Sequence, residues 1–137
     1  MPDHVDALGG SALPAEVESE LRSLIERWTS SRVEGAFDEW LGFWSEDAVL
    51  MPPNSPRIVG RDAIEKFIRT SFGNWSGFRF SEWSFAGHDD LAVVANTIDW
   101  QDADGVHIFN QIIVLRRHAG SNWRVQTVIV TPAAAPR

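Results

Sequence analysis

Residues 28–68 read W-T-S-S-R-V-E-G-A-F-D-E-W-L-G-F-W-S-E-D-A-V-L-M-P-P-N-S-P-R-I-V-G-R-D-A-I-E-K-F-I, and the changes of pattern inside this stretch set the architecture. An upstream helix stops at Gly35, a residue free to take the backbone turn that ends helices. Phe37, Trp40, Leu41 and Trp44 then recur at helical spacing over a short span. Asp47 to Pro52 reads as a strand, which Pro52-Pro53 ends because two consecutive residues without N–H groups cannot continue a ladder. Gly60 and Asp62 introduce a third helix whose Ile64, Phe67, Ile68 and Phe72 face inward.

Working outward toward the N-terminus, Val17, Leu21, Leu24, Ile25 and Trp28 form one apolar stripe on a helix that opens with Pro14 in its first turn. Glu16, Glu18 and Glu20 sit near the positive end of its dipole. Residues 1–12 show no periodicity and read as a flexible tail. Toward the C-terminus the period becomes two. Apolar parity switches from Phe78 and Phe80 to Trp83 and Phe85, which predicts a one-residue bulge near Ser81-Glu82 and a bent sheet. Turns are expected at residues 73–77, at His88-Asp89-Asp90, at Asp102 to Gly105 and at Ala119 to Asn122. They separate strands over Phe78–Phe85, Leu91–Trp100, Val106–Arg117 and Trp123–Thr131, and residues 133–137 form a second tail. Three helices followed by an antiparallel meander make an α+β domain over residues 13–132.

A chain of 137 residues with 44% hydrophobic and 23% charged content has the make-up of a single globular domain. Its net charge of −7, with 12 basic residues and no basic run beyond Arg116-Arg117, argues against nucleic acid and against membrane surfaces as partners. Cysteine is absent, which excludes disulfides and thiolate chemistry. No apolar stretch approaches the roughly 18 residues of a membrane span, and the N-terminus lacks a signal-like apolar run, so the expected location is the cytoplasm. Seven Trp against no Tyr is unusual. Indoles fill a wide interior, or they line a pocket for a flat apolar ligand.

Long strands that bend at a bulge curl around a helix and leave a concave mouth, the usual place for a small-molecule site. The polar residues that interrupt apolar faces are therefore the candidates. Asn96 interrupts Ala92, Val94, Ile98 and Trp100, and Gln111 interrupts His107, Phe109, Ile113 and Leu115. An unpartnered interior amide costs about 1–3 kcal/mol, so Asn96 and Gln111 either find core partners or line the pocket. Asn110 and Gln126 are read as satisfied core or interface amides. His107 is the one strand residue able to exchange protons near neutral pH without a large shift, on the same face as Phe109 and Gln111. It is either a proton carrier or a solvated edge histidine. No metal-ligand spacing, phosphate loop, dinucleotide fingerprint or nucleophile elbow occurs, so no cofactor is expected.

The E-D-A-V-L-M-P-P-N and G-R-D-A-I segments and the G-S-N-W-R-V run resemble those of SnoaL-like and ketosteroid-isomerase-like proteins of the nuclear-transport-factor-2-like superfamily. The resemblance implies a cone-shaped barrel, with three N-terminal helices packed into the concave face of a strongly curved, mainly antiparallel sheet. It also implies a homodimer formed through the outer sheet face, and a cofactor-free pocket for a small apolar or aromatic molecule. Relatives of this kind include isomerases, lyases and cyclases as well as non-catalytic proteins. Laid against the isomerase pattern, the oxyanion-binding tyrosine falls on Trp28, the aspartate base on Pro52 and the second acid near Ile113, so steroid isomerisation is not expected. An enzyme would use His107 as proton carrier with Gln111 and Asn96 as donors. Trp28, Trp44, Met51, Phe67, Phe109 and Ile113 would form the apolar walls. The alternative is a ligand-binding or dimerisation module without activity. Arg32 either meets an anionic ligand group or is solvated, as arginines at helix ends commonly are.

Overall fold

The apolar stripe of the first helix is what the sheet closes around. The computed structural model describes residues 8–9, 13–71, 74–118 and 121–133. Helix α1 spans Ala15–Val33, with Pro14 as its N-cap in extended conformation, one position before the first turn where the sequence placed it. On its stripe Leu21 and Ile25 are fully buried and Trp28 nearly so, while Val17 and Leu24 pack partly buried at the margin. Burying a side chain of this size contributes about 1.5–3 kcal/mol. Gly35, at φ +79°, ends the helix, and the Gly35 and Ala36 N–H groups donate to the Arg32 and Ser31 carbonyls.

Helix α2 (Phe37–Gly42) is shorter than the aromatic spacing suggested, and Trp44 opens strand β1 (Trp44–Met51) instead of closing the helix. A distant hydrogen bond explains the difference. The Val125 N–H donates to the Phe43 carbonyl at 2.7 Å and draws the chain alongside the last strand, where Trp44 pairs in parallel with Val125. A two-residue strand β2 (Ile58–Val59), unanticipated because two residues carry no alternation, pairs antiparallel with β1. Helix α3 (Arg61–Ser71) buries Ile64 and Ile68 and half-buries Phe67. Phe72 and residue 73, the start of the expected turn, lie outside the described residues.

Strands β3 (Gly77–His88), β4 (Leu91–Asp102), β5 (Gly105–Arg116) and β6 (Arg124–Pro132) complete a six-stranded sheet in the order β2-β1-β6-β5-β4-β3. All neighbours are antiparallel except β1 and β6. The bulge read from the parity switch is present: the β3–β4 register shifts between Ser81 and Ser84, and Glu82 takes φ 56°. Two-residue loops turn the chain at Asp89-Asp90 and Ala103-Asp104. In the third turn, residues 119–120 are outside the described set. The anticipated inner face of β4 is buried throughout, from Ala92 to Trp100. Of the two expected tails, Leu8 donates its N–H to Ser84 Oγ at 3.3 Å and Ala133 donates to the Ile108 carbonyl at 3.0 Å. Gly9 is also described; the other tail residues are not. Among the described residues no helix is long and apolar enough to cross a membrane.

Candidate functional site

The last turns of α1 carry Trp28, Thr29 and Arg32 to the mouth of the curved sheet. There they meet Trp44, Leu50 and Pro52 of β1 and its exit, Ile98 and Trp100 of β4, and Phe109 and Gln111 of β5. Trp40 of α2, Ile68 of α3, Trp75 and two β6 valines, Val128 and Val130, close the remaining sides. The space between them is a narrow slot. The volume swept by the centre of a water molecule is about 70 Å³, inside about 650 Å³ of non-atom space that opens to solvent. One water needs roughly 10–15 Å³ on the first measure, so the space holds several waters or a small organic group.

Two aromatic groups make its walls. Trp44 meets Trp28 and Trp40 edge to face, with ring centroids 5.2 and 5.6 Å apart. Trp100 stacks on Trp75 at 4.8 Å and lies parallel to Phe109 at 6.0 Å. The Arg32 guanidinium rests 3.8 Å from the Trp75 ring centre, a cation held against a π face. The amide side chains stand where the alternation placed them. Asn96 and Gln111 are directly opposed on β4 and β5. Gln111 lines the slot, while Asn96 is buried beside it and is not itself a wall residue.

Polar atoms in this region are left short of protein partners. Both amide atoms of Asn96, the Gln111 Oε1, and the indole Nε1 of Trp28, Trp44 and Trp75 are buried without a protein hydrogen bond. Each such atom costs about 1–3 kcal/mol when nothing meets it. Two further buried atoms without a protein hydrogen bond, Arg61 Nε and Trp123 Nε1, lie away from the slot, while other polar groups are satisfied locally. Thr29 and Ser31 donate to the Ile25 and Trp28 carbonyls at 2.9 and 2.7 Å, the Thr97 hydroxyl donates to Asn110 on the outer face, and Gln126 donates to the Asp47 carbonyl.

Of the anticipated wall residues, Trp28, Trp44 and Phe109 line the slot and Ile113 lies fully buried outside its lining. Met51 and Phe67 do not line it; their neighbours Leu50, Pro52 and Ile68 do. In each case an apolar run offered adjacent residues, and the strand alternation or the turn of α3 aims the neighbour inward. His107 is outside the lining as well. Its ring stacks on Trp100 at 4.2 Å, its side chain is 35% exposed, and its Nε2 lies 3.0 Å from Asp102 Oδ1. The hydrogen bond from His107, helped by the Asp104 N–H, holds the Asp102 carboxyl below the usual carboxylate range. That clamp is in place at neutral pH and is lost as acidification protonates Asp102.

Arg32 is where the structure departs furthest from the solvated reading: only 7% of it is exposed. The signal was available, because Arg32 follows Trp28 by one helical turn and shares its face. Trp75, in an aperiodic connection, gave no signal. A second hollow lies between α1, α2 and the start of β6, where Glu20, Glu39, Arg27 and Arg124 mix both signs of charge.

A family model described as a SnoaL-like domain matches residues 21–129. No curated protein matches the chain by sequence. Among solved structures, it is similar to an NTF2-like protein of unknown function from Pseudomonas putida KT2440, with TM-score 0.74, 20% identity, and 88% of this chain and 89% of that one covered. It is also similar to the Orange Carotenoid Protein of Anabaena (Nostoc) sp. PCC 7120 binding canthaxanthin, with TM-score 0.70, 24% identity, and 83% and 37% covered. A ketosteroid isomerase-like protein from Erwinia carotovora atroseptica gives TM-score 0.68 at 15% identity, with 83% and 94% covered. Identities this low establish a shared fold.

Proposed function

The chain belongs to the SnoaL-like domain family, and from that premise we propose that it binds a flat, apolar or aromatic small molecule in the slot between α1 and the concave face of the sheet. The observation that carries this reading is the aromatic lining, in which the Nε1–H groups of Trp28, Trp44 and Trp75 are buried without a protein hydrogen bond. A thin aromatic guest would stack or slide against Trp28, Trp44 and Trp100, and an acceptor on it would meet the Nε1–H groups of Trp28, Trp44 or Trp75. A structural relative recorded with canthaxanthin is consistent with an apolar guest in this fold.

Binding is favoured over proton-transfer catalysis of the lyase, isomerase or cyclase kind. Among the described residues, those lining the slot include no carboxylate, histidine or lysine. His107 meets the slot only through the ring of Trp100 and is held by Asp102. Titration with one- and two-ring planar molecules is expected to quench tryptophan emission. At a hundredfold excess over Kd it should also stabilise the fold by about 2.7 kcal/mol. His107→Ala should leave affinity within about twofold. Exchange of a bound ligand's C–H protons with solvent, lost in His107→Ala, would instead establish the catalytic reading.

The proposal extends to a homodimer. Val106, Ile108 and Ile112 stand 58%, 42% and 39% exposed on the outer face of β5. A row of apolar side chains on an exposed sheet face is best covered by an identical row from a second copy. Light scattering should give a dimer, and Ile112→Glu, which buries like charges against each other at such an interface, should give a monomer of unchanged fold. A monomeric wild-type chain at tens of micromolar would remove this part of the proposal.

A further inference from the structure

Strands β4 and β5 treat two adjacent cross-strand pairs differently. On the outer face Thr97 and Asn110 are opposed, and the Thr97 hydroxyl donates to Asn110 Oδ1 at 3.0 Å. One position along, Asn96 and Gln111 are opposed and make no such bond: Asn96 Oδ1 and Nδ2 and Gln111 Oε1 are all buried without a protein hydrogen bond. Opposed Cβ atoms lie about 4.5–5.5 Å apart, so the two amides make one polar spot. Gln111 is the member that belongs to the slot lining, with Asn96 buried beside it.

The fold alone does not call for an amide at position 96. Ala92, Val94, Ile98 and Trp100 fill the rest of that face of β4, and an apolar side chain would continue it without burying two unanswered polar atoms. The indole N–H groups of Trp28, Trp44 and Trp75 already give the slot donors. What the amide pair adds is two acceptors with one donor between them. An acceptor selects for a guest that brings a proton, which a ketone, an ether or a carboxylate does not. An ammonium group brings protons and has no lone pair for the Asn96 Nδ2–H. A hydroxyl does both, and on an aromatic ring it adds a single heavy atom to a flat outline.

We infer that the molecule taken by this slot is a neutral planar hydroxyl compound of the phenol type, its O–H donating to Gln111 Oε1 or Asn96 Oδ1 and its oxygen accepting from Asn96 Nδ2. This inference rests on the binding reading above and adds the ligand's polar group to it. Gln111 and Asn96 are then the residues that set specificity, and the indoles supply the stacking surface.

The test compares phenol and 2-naphthol with toluene and 2-methylnaphthalene, which have nearly the same shape and no polar group, and with anisole, which accepts but cannot donate. Dissociation constants are read by ligand-observed NMR titration on the full chain at neutral pH. The wild-type protein should bind the hydroxyl compounds at least tenfold more tightly than the methyl and methoxy ones. Gln111→Met and Asn96→Leu should each cut that ratio about threefold or more, a change that loss of packing alone, felt equally by every probe, does not produce. Melting curves report whether the variants are folded, and the wild-type comparison needs no variant at all. Methyl or methoxy compounds that bind the wild-type chain as tightly as the hydroxyl ones would overturn the inference and leave the binding reading intact, as would a hydroxyl preference undiminished in both folded variants. Failure of every probe to bind would overturn the two together.

Discussion

Gly87→Ala is expected to cost about 2–5 kcal/mol and to lower the melting temperature by roughly 10 °C or more. Gly87 lies in β3 just before the turn into β4, at φ +155°, a backbone conformation that a side chain opposes. A Cβ built there would lie 2.4 Å from the Leu91 carbonyl oxygen and 2.9 Å from the Ala92 Cα. Both are backbone atoms of the paired strand, so no rotamer change relieves the contact. The strand must move, and Ala92 is a fully buried core residue that resists the movement. Gly42→Ala serves as the internal control: nothing lies within 4 Å of its built Cβ, and alanine is the better helix former at the end of α2. Thermal melts of the two variants side by side decide the matter. Equal stability in both would show that the β3–β4 hairpin tolerates a wider strand separation than the close approach at Gly87 implies.

The residues that made the fold legible are those whose neighbours in sequence are also their neighbours in structure. Along β4, alternating apolar residues with Asn96 among them identified the inner face, because strand geometry repeats every second residue. The bulge at Glu82 was legible because it leaves a phase error in that alternation. Trp44 was not, because its backbone is set by a bond to Val125, more than half the chain away, while its local spacing is helical. The candidate site was legible in part for a related reason. Periodicity identified Trp28, Phe109 and Gln111 as facing inward, but where apolar residues stand side by side, as at Leu50-Met51 and Phe67-Ile68, it could not choose between them. For Arg32, of the two readings left open, the solvated one does not hold. Its position one turn beyond Trp28 points inward, against the general preference of arginine for water.

Trp44→Ala is expected to lower stability by about 3–5 kcal/mol, the usual range for truncating a buried aromatic side chain. It should also change what the slot accepts. Trp44 is only 2% exposed and is the shared partner of both edge-to-face contacts, to Trp28 and to Trp40. Removing it therefore takes away one wall of the slot and the support of two others. The indole of Trp44 belongs at once to the core and to the cavity lining, so a single substitution tests whether those two roles are physically the same. If they are, a folded Trp44→Ala protein should lose affinity for single-ring ligands, whose stacking partners are now loose, and gain affinity for two-ring ligands that fill the vacated volume. Trp44→Phe should show the same trend at smaller amplitude. Chemical denaturation measures the first effect and calorimetry the second. A protein destabilised as expected but unchanged in ligand size preference would mean that the slot next to Trp44 is ordinary packing and takes no guest there.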